Sequence, residues 1–480
     1  MHAVHQLLLL LVLLLGLPGC GEDEPTPDPN ETNGEEAGGE PEAWIPEGHE
    51  WVGDWNSLVE EVRRDLAATT GQDQSELRFL ISNSERIAEV LERNIEARFA
   101  EGEASGVAAS AITQLSQALL GIYDLEKNVV HIGLDHFVSL ADAIDMPELR
   151  AREVTYAVMV HEGAHAVADA NFDLIGLFSK AQARGSVAVT CAEAVCEGHA
   201  QYLARKTCAA ANRLNGFEIF TRAITEIPEG LDAGERALIE MNVRAFGFAY
   251  GHGETFVEAV IADGGSSAEQ RIFSDPPLTR TEILRPAWYL DPDSRPEHGF
   301  DLDEALELVP AAFSEVNGIR FTKNELAGSD LAEANTSVLG SERAKAMGDL
   351  LEFCQVQIGM VGQGDKMAFV ALIVTADEAS GDRFLEFAQQ ASDAKDETFR
   401  ESSFIKVLSS KSTLIDSELG VGVNQVKRIE FNGQEAPLRS LMVRRDNLIV
   451  EITLSNLVLP DGEAEALADQ LLRRAMLEDE

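Results

Sequence analysis

The sequence predicts an α+β protein, a mainly helical domain followed by a smaller α+β domain with an antiparallel sheet. Three observations predict it. From Trp51 to about Leu120, and again from Pro147 to Asp263, apolar residues recur at helical spacing. Between Asp275 and Pro296 the chain turns irregular through Asp-Pro-Pro, Arg-Pro and Asp-Pro steps. From about Gly340 onward, alternating β-branched runs joined by turn residues replace the helical period.

The chain begins with an address. Leu7 to Leu15 form an unbroken apolar block, too short to span a bilayer, and Leu17-Pro-Gly-Cys20 follows. Residues 1–20 thus resemble a bacterial lipoprotein signal peptide and lipobox, with Cys20 the lipidated mature N-terminus. Two features depart from that pattern: the first six residues carry no Lys or Arg, and Pro18 stands inside the lipobox. An ordinary secretory peptide cut nearby is the alternative. Either way the mature protein leaves the cytoplasm; on the lipobox reading the expected place is the bacterial cell envelope, lipid-anchored on the outer membrane or cell surface. Residues 21–43 are Pro-rich and acidic without apolar periodicity, and read as a disordered tether.

The body from residue 44 is long enough for two domains. Acids number 83 against 38 bases in 480 residues, a net charge of −45 that disfavours nucleic acid and anionic surfaces as partners. No second apolar run reaches membrane length. Beyond Cys20 the cysteines are Cys191, Cys196, Cys208 and Cys354, which an oxidising compartment allows to pair. A local bridge among the first three and buried free thiols are both open readings.

The helical domain is assigned to 44–335. Trp55, Leu58, Val59, Val62 and Leu66 keep helix spacing, as do Leu77, Leu80, Ile81, Ile87, Val90, Leu91 and Ile95. Val129-Val-His-Ile reads as a brief strand or hairpin arm, placed to lie over the site and pair with an extended chain. The next helix starts near Pro147, and others cover 192–207, 213–226 and 233–263, the last ending at Gly264-Gly265. The second domain is assigned to 340–480. Its strand candidates are Met367–Val374, Phe404–Ser409, Gln425–Phe431, Leu441–Arg444 and Leu448–Leu454, an antiparallel sheet with helices on one face.

The chemistry is concentrated at His161-Glu-Gly-Ala-His165, an H-E-x-x-H motif inside an apolar run. A helix sets residues four apart on one face, so both imidazoles can grip one ion, Zn2+ by ligand type. Glu162 projects beside it, where a carboxylate takes a proton from water as general base. A third ligand is sought in Thr190–Arg205, where Glu193, Glu197 and His199 lie within reach of one another on one short helix. Asp169, one turn beyond His165, is placed to accept that ring's Nδ1 hydrogen. Tyr250 and His252 are candidates to stabilise a tetrahedral oxyanion as catalytic groups.

At these residues the chain resembles the gluzincins, zinc peptidases whose third ligand is a glutamate on a second helix. It is more closely similar to a set of bacterial secreted and lipoprotein H-E-x-x-H proteins. Their motif helix reads roughly H-E-x-T-H-A-L-Q-D-Q-H-F-D-L, against His161 to Leu174 here. Their E-G-D-A is matched by Glu197-Gly-His199-Ala, and their P-Y-x-x-G-x-x-F-V by Ala249-Tyr250-Gly-His-Gly253-Glu-Thr-Phe256-Val257. Their P-P-x-S-T-E-Q-(I/L)-L-x-P is matched by Pro276 to Pro286, and the likeness spans most of residues 120–400. Gly163 and Ala164 replace larger residues, Asn171 a histidine and His199 an aspartate. The resemblance implies a zincin-like metallopeptidase domain, Glu197 as third ligand, and hydrolysis of peptide or protein substrates. A scaffold or binding lipoprotein that keeps the metal site without turnover is the alternative.

Overall fold

The computed structural model describes residues 55–98, 119–184, 186–226, 246–294, 299–361, 366–401, 405–431, 434–460 and 462–477, with positions 112, 116, 117 and 243. The expected signal segment with Cys20, the tether, most of 99–118, the first part of the 233–263 helix and Gly362–Asp365 lie outside them. The chain divides into two compact units, chiefly at Pro276–Pro277. The described residues bear out the α+β class.

The first unit opens with α1 (Trp55–Thr70), β1 (Arg78–Ile81) and α2 (Ser84–Arg98), then β2 (Gly121–Asp124) and β3 (Val129–Ile132). The strands form a small sheet of order β1-β3-β2. Two expectations change here. Leu80 and Ile81 stand in a strand rather than a helix, because β1 finds a parallel ladder partner in β3, an outcome that local spacing does not encode. Residues Val129–Ile132 do form a strand, but it is the central one, hydrogen-bonded on both sides and buried at all four positions. No open side is left for an added chain. The edge strands are β1 and β2, and the Tyr123 carbonyl of β2 accepts from the Asn94 side chain.

His131, at the middle of β3, is 1% exposed and shares a 2.8 Å hydrogen bond between Nδ1 and the Ser82 hydroxyl. Burial pulls it from 6.5 down to about 4, so the folded protein keeps it neutral. Between those values the unfolded chain binds more protons, so stability rises with pH across the window and is lost as pH falls through it. The difference amounts to about 3 kcal/mol at most. Urea midpoints at about pH 7 and pH 4.5 should therefore converge for His131→Asn relative to the parent. An unchanged pH slope would remove His131 from the acid sensitivity.

Next come α3 (Leu134–Ala143), a 3-10 turn (Pro147–Arg150) that Pro147 opens, and α4 (Arg152–Phe172). The last of these ends where Asp173 adopts a left-handed φ of 53° and caps α5 (Leu174–Gln182), its carboxylate accepting from the Gly176 N–H. α6 (Ser186–Ala210), α7 (Leu214–Ala223) and α8 (Gly253–Ser274) follow. The expected stop at Gly264-Gly265 is instead a kink within α8, absorbed by Gly265 at φ 59°. At the α6–α8 crossing, a Cβ on Gly198 would fall 2.1 Å from the Gly253 carbonyl carbon, so only glycine lets these backbones meet.

The second unit has its own core. Helices α9 (Leu302–Leu306), α10 (Val309–Ala312), α11 (Gly328–Leu339), α12 (Ser341–Gly348), α13 (Glu378–Thr398) and α14 (Glu463–Ala475) surround one antiparallel sheet. Its strands are β4 (Arg320–Glu325), β5 (Leu351–Val361), β6 (Lys366–Thr375), β7 (Ile405–Ser417), β8 (Gly420–Phe431), β9 (Gln434–Arg445) and β10 (Leu448–Ser455), in the order β4-β5-β6-β10-β9-β8-β7. Helices cover both faces of this sheet, not one. Val370, Leu372 and Val374 pack toward α9, α10 and α14, while Ala371 and Ile373 pack with Met347 and Phe384. A strand apolar at nearly every position, as β6 is, needs cover on both sides. The α9–β4 segment, expected in the first domain, completes this core. No described helix is long and apolar enough to cross a membrane.

Candidate metal centre

α4 carries the motif and is buried around most of its circumference, from Val154 through Ala168. Such a helix runs through the middle of its unit and presents polar side chains only where they have a task. α6 lies along it through Ala164, Val167, Ala200 and Leu203, and the small alanines bring the axes close. The small residues at 163 and 164 have local causes: a Cβ on Gly163 would meet Leu66 Cδ1 at 2.6 Å, and Ala164 belongs to this packing.

Three side chains converge at that contact. His161 Nε2 stands 3.2 Å and His165 Nε2 3.4 Å from Glu197 Oε2, and the two nitrogens are 3.3 Å apart. Donors around a tetrahedral zinc at about 2.0–2.1 Å lie about 3.3–3.4 Å from one another. The triangle therefore fits one such ion. With no ion, the same Glu197 oxygen can accept from both rings. The side chains are 2%, 12% and 23% exposed, so the approach is from the His165 and Glu197 side.

Aromatic rings hold His161. Tyr250 stacks on it at 5.5 Å and 15°, and Phe220 of α7 meets it edge-on at 5.6 Å. Tyr250 lies in a π-helical segment, Gly247–His252, a wide turn that shifts side chains off the ordinary helical register. Burial, then the charges of Glu197 and Glu162, push its phenol well above the usual range, so it stays a donor. His252, in the same segment, sits with its ring 6.3 Å from Phe248 and is not one of the converging groups. It stands two residues after Tyr250, and residues two apart on a helix face different ways.

Glu162 keeps some solvent access, yet dense surroundings push its carboxyl up to about 7, against the pull of His161 and the Tyr123 backbone amide. Strand β2 lies directly on it: a Cβ on Gly121 would fall 2.8 Å from Glu162 Cγ. Glu197 behaves oppositely. Burial opposes its charge, but His165 and His161 hold it well below the usual range. Glu193, one turn earlier on α6, is pushed up to about 7 by burial and Glu197, with Arg98 acting against both.

The other candidate positions face elsewhere. His199 Nε2 pairs with Glu269 Oε1 at 2.8 Å, which spends it away from the triangle. Asp169 does not reach His165. One of its oxygens accepts the Tyr123 hydroxyl at 3.1 Å and the other the Leu174 N–H at 3.1 Å, so it ties the end of α4 to β2. His161 Nδ1 is buried without a partner among the described residues. The four described cysteines are free and buried, and burial pushes the Cys208 thiol up to about 12. Phe220, Gly121 and Arg98 were missed from sequence. Only Gly121, a glycine opening a strand, carried any signal.

No protein-family model matches the chain, and no curated protein matches it. Among solved structures it is similar to the extracellular domain of PknH from Mycobacterium tuberculosis. That match has 9% identity and TM-score 0.24 over 35% of this chain and 90% of that one, too slight to carry an argument.

Proposed function

We propose that the chain is a zinc metallopeptidase of gluzincin type that hydrolyses peptide bonds, carried outside the cytoplasm on a lipid anchor at Cys20. One observation carries the reading: His161, His165 and Glu197 place three donor atoms at the corners of a zinc-sized triangle. A zinc ion held there supplies Lewis acidity, which acidifies water and polarises a carbonyl. Glu162, next to the triangle and with a proton affinity near neutrality, takes the proton of the attacking water and passes it to the leaving amine. Tyr250, kept protonated, hydrogen-bonded to Glu197 and stacked on His161, would turn its hydroxyl to the developing oxyanion. The zincin-like fold belongs to the same proposal. Support comes from the buried motif helix with a second helix alongside it and β2 lying on Glu162.

The test is a mixed peptide library with the mature protein. Cleavage should appear, vanish with a chelator and return on adding zinc. Cleavage that persists without metal, or none at any metal loading, would remove the peptidase reading.

A further inference from the structure

Arg98 stands apart from the other described arginines that bury an unpartnered nitrogen. Its guanidinium lies 4.5 Å over the Phe178 ring, and its Nε is buried with no partner among the described residues. Arg93, Arg150, Arg213, Arg280 and Arg444 also bury a nitrogen without a partner, but each forms an ion pair through another nitrogen. Among the described residues Arg98 has no ion pair, in a chain where acids outnumber bases 83 to 38. Buried guanidinium donors are costly to leave unmatched, and a planar fork fits a carboxylate better than any neutral group. The position is not remote. Arg98 ends α2 four residues after Asn94, whose side-chain amide donates to the Tyr123 carbonyl of β2, the strand that lies on Glu162 and whose Tyr123 hydroxyl reaches Asp169.

We propose that Arg98 receives a carboxylate of the substrate, making the site selective for peptides with a negative charge beside the scissile bond. The inference rests on the peptidase reading for its substrate class. The contact with the Phe178 ring restrains the guanidinium, whose planar fork of N–H groups matches a carboxylate. An anionic peptide entering among three carboxyl groups needs such a counter-charge. The carboxylate is either the peptide's own C-terminus or an acidic side chain.

The experiment compares the full-length parent protein with Arg98→Gln and Arg98→Lys on three probes: N-acetyl-Ala-Ala-Ala, its C-terminal amide, and N-acetyl-Ala-Asp-Ala amide. Steady-state kinetics are measured on zinc-loaded protein, and calorimetric binding in a Glu162→Gln background. The ratio of kcat/KM for a carboxylate probe to that for the neutral amide should fall about 10- to 100-fold in Arg98→Gln, chiefly through KM. Arg98→Lys should recover part of it. A loss confined to N-acetyl-Ala-Ala-Ala assigns the terminal carboxylate, and one confined to the Asp probe assigns the side chain. Equal losses on all three probes, or no loss, overturn the inference and leave Arg98 as a counter-ion of the glutamates. If nothing is cleaved but the carboxylate probes bind and Arg98→Gln abolishes that binding, the hydrolytic reading fails and this one stands. If cleavage occurs without Arg98-dependent discrimination, the reverse holds. Absence of carboxylate binding in every form also overturns it.

Discussion

Glu162→Gln is expected to keep about one zinc per chain and to lower kcat about 10²- to 10⁴-fold, the usual contribution of a general base. The amide preserves the shape of the side chain between α4 and Gly121. It leaves His161, His165 and Glu197 untouched but has no oxygen able to take a proton at neutral pH. The check is steady-state kinetics on the best library peptide with zinc determined on the same sample. Full activity in this variant would remove Glu162 from the chemistry, and loss of zinc along with activity would make it structural.

The second large effect concerns the metal. Glu197→Ala removes the oxygen that both histidines face, at 3.2 and 3.4 Å, and should weaken zinc binding by more than the roughly 10- to 100-fold that loss of an outer partner costs. His199→Ala should cost far less, because its Nε2 is engaged by Glu269. Competition against a chromogenic chelator reads both constants. A His199 variant as damaged as the Glu197 variant would contradict this division.

The legible part of this site was the part set by helical geometry. Residues four apart on one face come together whatever surrounds them, so His161 and His165 could be paired from spacing alone. Glu197 needed a second helix laid beside the first, and there the resemblance to gluzincins chose among Glu193, Glu197 and His199. Side-chain direction was illegible. Asp169 has the right spacing to reach His165 but turns to Tyr123 and Leu174, partners 46 and 5 positions away. Tyr250 and His252 both offered donors, yet residues two apart on a helix face different ways, and only Tyr250 stacks on His161. Strand order was equally hidden, since β3 is central only because β1 joins it in parallel. In the second unit the positions from Ala368 to Val374 already advertised burial on both faces, and reading helices onto one face overlooked that run.

The direct test of the central claim is anomalous diffraction at the zinc edge from crystals of the purified protein. The account predicts one peak, about 2.0–2.2 Å from His161 Nε2, His165 Nε2 and a Glu197 carboxylate oxygen. A zinc peak ligated by His199 or Glu193 in place of Glu197, or no peak between the two histidines in zinc-saturated crystals, would contradict it.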